Sequence, residues 1–526
     1  MSTTSQHKNE VRVRAAPSPT GRVHVGTLRT FLYDYLLAKK YNGSNILRVE
    51  DTDEKRKVVR GTEAIIEVMK LFGIDYDEGP HVGGDYGPYI QTERKSLYNK
   101  YAEELVSKGH AYHCFCAEER LQKLRDSQIE AKKPPGYDRK CRSISPEDAA
   151  EMKKAGKPYV IRLKVPLEGT TVFHDEVLGD VKFKNSNVID PILLKSDGLP
   201  TYHLAVVVDD FLMKITHVLR GLEWLPSAPI HKLLYEYFEW DMPKFVHLSL
   251  ILNPDGKGKL SKRKGALPAV SYLRKGYLPE AMNNYFALIG WAPRPNEANE
   301  DDVYTMAELI ERFDIDRLHK QPGRFDPKKF DAISGKHIRR LDSKELVEKV
   351  LYWAKNYVLT EFITDGIDEM PEWEGDIKNK VKRYLPLWEA DLDFFEKALS
   401  LVHERLIYFS EIPELLAYLY NKTLVWTDND WKLQDHSKAE VASALGGMLE
   451  VFGQLYITEK VSHEKWESAI RGYADKIGWK HGEVFMALRS AVTGKLQSPP
   501  LFESFEILGW EKTKKHIEDA IRWLRS

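Results

Sequence analysis

Between Val11 and Val49 the chain reads strand, Gly-containing turn, helix, strand, and no other stretch restricts the fold as much. Val11 to Ala15 is short and partly β-branched, PSPTG is turn chemistry, Leu28 to Lys40 repeats its apolar residues at helical spacing, and Asn45 to Val49 resumes as a strand. This is a βαβ unit, the seed of a parallel nucleotide-binding sheet. Apolar runs return at HLAVVVDD and ITHVLRG and read as further sheet. Between them and the first unit, residues 98–200 carry short helices and strands punctuated by KKPPGYD and EGTT, so one sheet domain interrupted by an insert accounts for the order.

The 526 residues are too many for a single hydrophobic core, and the character of the chain changes along it. From about residue 252 a basic loop, GKGKLSKRKG, leads into helical segments such as LPEAMNNYFALIGW. Beyond about 340 nearly every segment repeats at the helical period, as in KELVEKVLYWAKNY and KHIEDAIRWLRS, which predicts an all-α C-terminal third. With a net charge of -1, any polyanion must be held by local Lys and Arg clusters, because no global field exists to do it. No run of about 18 apolar residues is present, and MSTTSQHKNE is neither a signal nor a transit pattern, so a cytosolic protein with no membrane contact is expected. The 3 cysteines, all between Cys114 and Cys141, are too few and too clustered for a secreted disulfide framework.

Two segments carry chemistry. Arg14 to Thr27, RAAPSPTGRVHVGT, ends a strand and opens a helix. Gly26 lets a nucleotide ring approach the backbone, the helix N-terminus favours phosphate oxygens, and His24 can donate to one. A lone His-x-Gly is more often a capped helix start with a solvated histidine; the fourteen-residue string after a strand is far more specific. The second segment is Lys259-Leu-Ser-Lys-Arg263 in its Gly- and Lys-rich loop. Paired lysines there suit a triphosphate, since charge builds on departing pyrophosphate and a closing cation stabilises that transition state. Lysine runs are usually solvated surface, and only the pairing with the first segment favours function.

Together these segments resemble the class I aminoacyl-tRNA synthetases, HVGT matching the His-x-Gly-His signature and KLSKR the Lys-Met-Ser-Lys-Ser loop. More narrowly, APSPTGRVHVGT, LRVEDTD, PTYHLA and VLRGLEWL are similar to bacterial glutamyl-tRNA synthetases, strongly to about residue 340 and more thinly beyond, where SPPLFE still resembles the family's end. The resemblance implies an α/β plus all-α protein: a Rossmann-type catalytic domain in two halves (10–97 and 201–251), a connective insert that grips the tRNA acceptor end (98–200), a stem-contact domain with the KLSKR loop (252–340), and two helical anticodon-binding subdomains (341–432 and 433–526). It implies ATP and Mg²⁺, L-glutamate and tRNA(Glu) as partners, with tRNA needed even for adenylate formation. A monomer is expected.

Carried residue by residue, the resemblance assigns His24, Lys259 and Lys262 to catalysis, and Gly21, His24, Gly26, Lys259, Ser261, Lys262 and Arg263 to ATP. It assigns Arg14, Ser18, Glu50, Tyr202 and Arg220 to glutamate, Glu50 meeting the ammonium and Arg220, Arg14 and Tyr202 the side-chain carboxylate. Val206 stands where bacterial members often have Asn, which removes one contact. In the insert some members bind zinc through Cys-x-Cys and Cys-x-His; this chain offers Cys114, Cys116 and Cys141 but Ser143 in place of the His. Serine is a poor ligand, so the reading is of free thiols, with Tyr137 able to complete a zinc site in its stead. A glutaminyl-tRNA synthetase would carry a Pro-Pro-Glu-Pro-Asn-Gly-like turn in place of PSPTG, and a truncated tRNA-modifying paralogue would lack the helical third. The alternatives left open are a catalytically inactive RNA-binding relative and an enzyme that also charges tRNA(Gln).

Overall fold

The structure, a computed structural model, describes residues 10–19, 23–53, 58–260, 267–366, 371–431, 436–456 and 461–526. The chain divides into two units. Met1–Ala269, Pro279–Phe330 and Phe362–Glu369 make the first; Val270–Leu278, Asp331–Glu361 and Met370–Ser526 make the second.

In the first unit the βαβ reading holds: β1 (Arg12–Ala15), α1 (Val25–Lys40) and β2 (Ser44–Leu47) follow one another, and β1 pairs parallel with β2, Arg14 opposite Ile46. Lys39 and Lys40 lie in the last turn of α1, where they complement the helix dipole, and its buried residues include Leu28, Leu32 and Leu36. After α2 (Gly61–Leu71) and α3 (Lys95–Ser107) come β3 (Ala111–Cys114), α4 (Glu118–Glu130), α5 (Pro146–Lys154), β4 (Val160–Leu163), β5 (Thr170–Asp175), β6 (Gly179–Lys184) and β7 (Ile192–Leu194). Strands β3, β4 and β7 form an antiparallel sheet, and β5 and β6 a hairpin with Asp175 opposite Gly179. Along β5 burial alternates, so Thr171, Phe173 and Asp175 point inward.

The chain then runs through α6 (Tyr202–Leu212), β8 (His217–Gly221), α7 (Ala228–Phe238), β9 (Lys244–Leu248) and β10 (Ile251–Leu252), and later β11 (Gly323–Arg324). Strands β8 and β9 are parallel, and the Thr216 N–H donates to Arg12 O at 2.9 Å, tying this pair to β1. One expectation is corrected here. HLAVVVDD is not a strand but the body of α6. Leu204 to Val208 are all within 2% of full burial and share one core with Ile46, Val218 and Phe245, so this stretch is apolar on every side and shows no amphipathic period to distinguish it from a buried strand. Val206 lies in that core.

The second unit contains helices and turns only, among its described residues. Ser343–Trp353 begins with a capping box of Asp342 and Glu345. Lys438–Tyr456, His463–Ile477, His481–Thr493 and Trp510–Arg525 enclose a core holding Trp426, Trp466 and Phe505. The predicted helical C-terminal third is thus observed. Among the described residues no helix is long and apolar enough to cross a membrane.

Candidate active site

A cavity of about 1060 Å³ opens at the carboxyl ends of β1 and β8, where an open parallel sheet places its ligands. The start of α1 forms one wall through His24, Gly26 and Thr27. His24 is the N-cap, extended at φ -90° and ψ 159°, and a Cβ built on Gly26 meets nothing within 4 Å. That position therefore opens straight onto the cavity beside the free N–H groups of a helix terminus.

The floor is a buried ionic cluster. Arg48, fully buried, donates from Nη1 to Asp210 Oδ1 at 2.6 Å and from Nη2 to Glu50 Oε1 at 3.1 Å. Arg14 donates from Nε to the same Asp210 oxygen at 3.1 Å and from Nη1 to Leu219 O at 3.3 Å. Burial raises the Glu50 carboxyl above its ordinary value despite the two guanidinium groups that oppose it. Ser18 and Glu50 both border the cavity, one after each of the paired strands, whose pairing is extended by the Glu50 N–H to Pro17 O bond of 2.9 Å.

Arg220, at the end of β8, sits on the opposite wall and is 5% exposed. Its Nε donates to His247 Nε2 at 3.0 Å, and its Nη1 to His231 Nδ1 at 3.0 Å and Tyr202 Oη at 3.2 Å. Nη2 is buried without a hydrogen-bond partner. No carboxylate lies within 4 Å of it among the described residues, so a buried positive charge borders the cavity with one donor unsatisfied. A Cβ on the next residue, Gly221, would stand 2.2 Å from Glu223 Oε2, so a side chain there would displace the Glu223 carboxylate.

The basic segment returns to the cavity through a turn: the Asn253 N–H donates to Gly258 O at 3.1 Å and the Leu260 N–H to Ile251 O at 2.7 Å, which brings Lys259 to the cavity. On the far side of the segment the Ala269 N–H donates to Val23 O at 3.1 Å, next to His24. Lys259 Nζ is paired with Glu223. Gly21, Ser261, Lys262 and Arg263 lie outside the described residues.

Apart from the cavity, the sulfurs of Cys114, Cys116 and Cys141 lie within 4.8 Å of one another. The Tyr137 hydroxyl is 3.2 Å from Cys114 Sγ and 3.6 Å from Cys116 Sγ, and it accepts the Cys141 N–H at 3.0 Å. Ser143 is exposed and outside the cluster. Three thiols and a phenol converging on one point fit a tetrahedral zinc in donor type and number, Tyr137 taking the place that the sequence left unfilled. Burial raises the Cys116 thiol to about 11 in the metal-free cluster.

Of the residues singled out in the sequence, Arg14, Ser18, His24, Gly26, Glu50, Tyr202, Arg220 and Lys259 all border the same cavity. Sequence reasoning missed Asp34, His231, His247 and Asp175. Asp34 borders the cavity from α1, fully buried, with neither carboxyl oxygen hydrogen-bonded. A charged residue on the apolar face of a predicted helix is the signal that could have found it.

Residues 10–332 match the family of class I tRNA synthetases (E and Q), catalytic domain, and residues 376–521 an anticodon binding domain. Among its relatives, the glutamate--tRNA ligase of Treponema denticola is 41% identical over 513 residues, 97% of this chain and 99% of that protein. That of Dehalococcoides mccartyi (strain ATCC BAA-2266 / KCTC 15142 / 195) is 40% identical over 513 residues, 98% of each. The crystal structure of a glutamate tRNA ligase from Elizabethkingia meningosepticum in complex with its amino acid superposes with a TM-score of 0.79 at 33% identity, covering 98% of this chain and 100% of that one. Similarity that runs the whole length of relatives agreeing on one name leaves a single assignment: the chain belongs to the class I glutamate--tRNA ligase family.

Proposed function

We propose that the protein joins glutamate to tRNA(Glu) in two steps within this cavity, in the cytosol and as a monomer. The glutamate α-carboxylate attacks the α-phosphorus of ATP in line, the bond to the bridging oxygen breaks, and pyrophosphate leaves; a hydroxyl of the tRNA 3′-terminal ribose then takes the glutamyl group and AMP departs. No side chain needs to act as nucleophile, so the protein contributes position and charge. His24, Gly26 and the first N–H groups of α1 would meet phosphate oxygens, and Lys259 with Lys262 the departing pyrophosphate. Magnesium would be carried largely by the phosphates and their waters, which suits a cavity whose described residues form no carboxylate cage, and would neutralise charge on them.

The observation that carries the choice of amino acid is the buried guanidinium of Arg220, a residue bordering the cavity, whose Nη2 has no hydrogen-bond partner and which no carboxylate pairs among the described residues. A side-chain carboxylate supplies the missing partner and a carboxamide does not. Glu50, with one oxygen held by Arg48, suits the substrate ammonium, and Ser18 the same end of the molecule. Residues 98–200 would hold the acceptor end, and zinc on Cys114, Cys116, Cys141 and Tyr137 would brace that region without joining the reaction. Residues 252–340 would meet the stem, and the helical subdomains at 341–432 and 433–526 the anticodon, a reading supported by the anticodon-domain match.

The test is aminoacylation by the purified chain with labelled glutamate, ATP and tRNA(Glu), alongside pyrophosphate exchange with and without tRNA. Charging of glutamate but not glutamine is expected. No charging and no exchange would leave the inactive RNA-binding reading in its place.

A further inference from the structure

A guanidinium taken out of water is ordinarily offset by a carboxylate in direct contact, as Asp210 does for Arg14 and Arg48. Arg220 is treated differently. Its partners are two imidazoles and a phenol, which satisfy N–H groups without cancelling charge. Because a guanidinium only donates, the proton positions around it follow. His247 must accept at Nε2 and so carries its proton on Nδ1, 2.6 Å from Asp175 Oδ2. His231 accepts at Nδ1 and so presents Nε2–H to His203 Nδ1 at 3.3 Å. Burial and the nearby guanidinium hold His203 and His231 below the ordinary histidine value, and burial lowers His247, so all three rings are neutral.

Asp175 is itself fixed on both oxygens. Oδ1 accepts the N–H groups of Val177 at 3.0 Å and Leu178 at 2.8 Å, and Oδ2 the His247 N–H at 3.0 Å beside the ring. Asp175 and His247 are fully buried side chains, and neither borders the cavity. Whatever they do to a substrate passes through Arg220.

We propose that Asp175 and His247 are positioning residues for amino-acid choice: Asp175 holds His247 with its Nδ1 protonated, and the ring's Nε2 holds Arg220 by Nε, so that Nη2 stays turned toward the substrate's side-chain carboxylate. The proposal rests on Arg220 being the carboxylate clamp. A neutral acceptor at Nε is the essential part of the device. A carboxylate there would fix the same geometry but spend the charge that separates glutamate from glutamine.

Asp175→Asn reverses the polarity at Oδ2, which meets both the His247 main-chain N–H and its ring. The asparagine oxygen stays with the Val177 and Leu178 N–H groups, its NH₂ faces the ring, and His247 must move its proton to Nε2, where it confronts the Arg220 Nε–H. In His247→Gln the amide oxygen can still accept from Arg220 while its NH₂ donates to Asp175; in His247→Leu neither bond survives. The readouts are kcat/KM for glutamate and for glutamine with saturating tRNA, and the KM for ATP, in protein whose melting is checked. For Asp175→Asn and His247→Leu the expectation is a roughly tenfold or greater loss of the glutamate-to-glutamine preference, carried by the KM for glutamate, with the KM for ATP within about twofold of the parent. His247→Gln should keep the preference within about threefold. An unchanged preference in folded Asp175→Asn or His247→Leu overturns the positioning role. If neither variant folds, long-range ¹⁵N–¹H NMR of the parent's imidazoles decides, and a His247 protonated on Nε2 overturns it. A parent that charges no glutamate sinks the functional reading instead, so the two failures are distinguishable.

Discussion

Lys259 Nζ lies 2.5 Å from Glu223 Oε1, so the first lysine of the basic segment is held to the turn that follows Arg220. Burial is the largest influence and would raise the Glu223 carboxyl, but the hydrogen bond and charge of Lys259, the backbone N–H of Glu223 itself and the charge of Arg29 together leave the carboxyl below its ordinary value. The side chains are 58% and 43% exposed, however, and an exposed pair is worth only about 0–1 kcal/mol. The pair is therefore a resting contact that incoming phosphate can displace. Glu223→Gln should change pyrophosphate exchange by no more than about fivefold, whereas Lys259→Ala and His24→Ala should each slow it by roughly 10²-fold, as when one transition-state donor is lost. Near-parental exchange in both alanine variants would refute the phosphate-binding assignment.

The cysteine cluster makes a comparison between two hydroxyls. Tyr137 touches two of the sulfurs and Ser143 none. Zinc measured by elemental analysis in protein prepared with added zinc should approach one equivalent in the parent and in Ser143→Ala, and fall several-fold in Tyr137→Phe. Equal zinc in all three would remove Tyr137 from the ligand set.

Legibility in the sequence followed the range of the interactions. The first βαβ unit and the helical second unit rest on local periodicity and turn residues, and both were read from them. HLAVVVDD was misread because burial on every side erases periodicity. Arg14, Ser18, His24, Gly26, Glu50, Tyr202, Arg220 and Lys259 at the cavity were recognisable by family motifs, and Asp34 beside them was not. The contacts of His247 and His231 to Arg220, and of Asp175 to His247, were not, since they join β9 and α7 to β8 and β5 to β9 across stretches of sequence that carry no mutual spacing rule. Tyr137 falls between these cases: its spacing to Cys141 was visible, but only the fold shows its hydroxyl against the sulfurs.

Asp34 should make stability depend on pH in a fixed direction. Burial, with Asp210 adding to it and Arg14 opposing, raises its carboxyl well above the ordinary value. The unfolded chain ionises this group first as pH rises past about 3.9, so the native state is most favoured below that pH and loses stability as pH climbs toward the folded value. Asp34→Asn removes that loss. Its melting temperature should exceed the parent's at pH 7.5, and the difference should shrink toward zero below pH 4. A difference independent of pH would mean that Asp34 is ionised in the folded protein.

Arg220→Gln tests the clamp directly. Glutamate and glutamine are nearly isosteric and differ chiefly in one terminal charge, so a pocket separates them by electrostatics. A desolvated carboxylate–guanidinium pair is worth about 2–5 kcal/mol over the mismatched amide. The competing view, that Arg220 merely closes β8 by pairing with Glu223, loses its footing because Glu223 is bonded to Lys259 and Arg220 to His231, His247 and Tyr202. The Gln variant also leaves both imidazole acceptors in place, so its effect reports the charge more than the scaffold. The ratio of kcat/KM for glutamate to that for glutamine should fall at least about tenfold, equivalent to about 1.4 kcal/mol, while the KM for ATP stays near the parent's. If the variant folds, charges tRNA and keeps the parental ratio, the charge of Arg220 plays no part in choosing the amino acid.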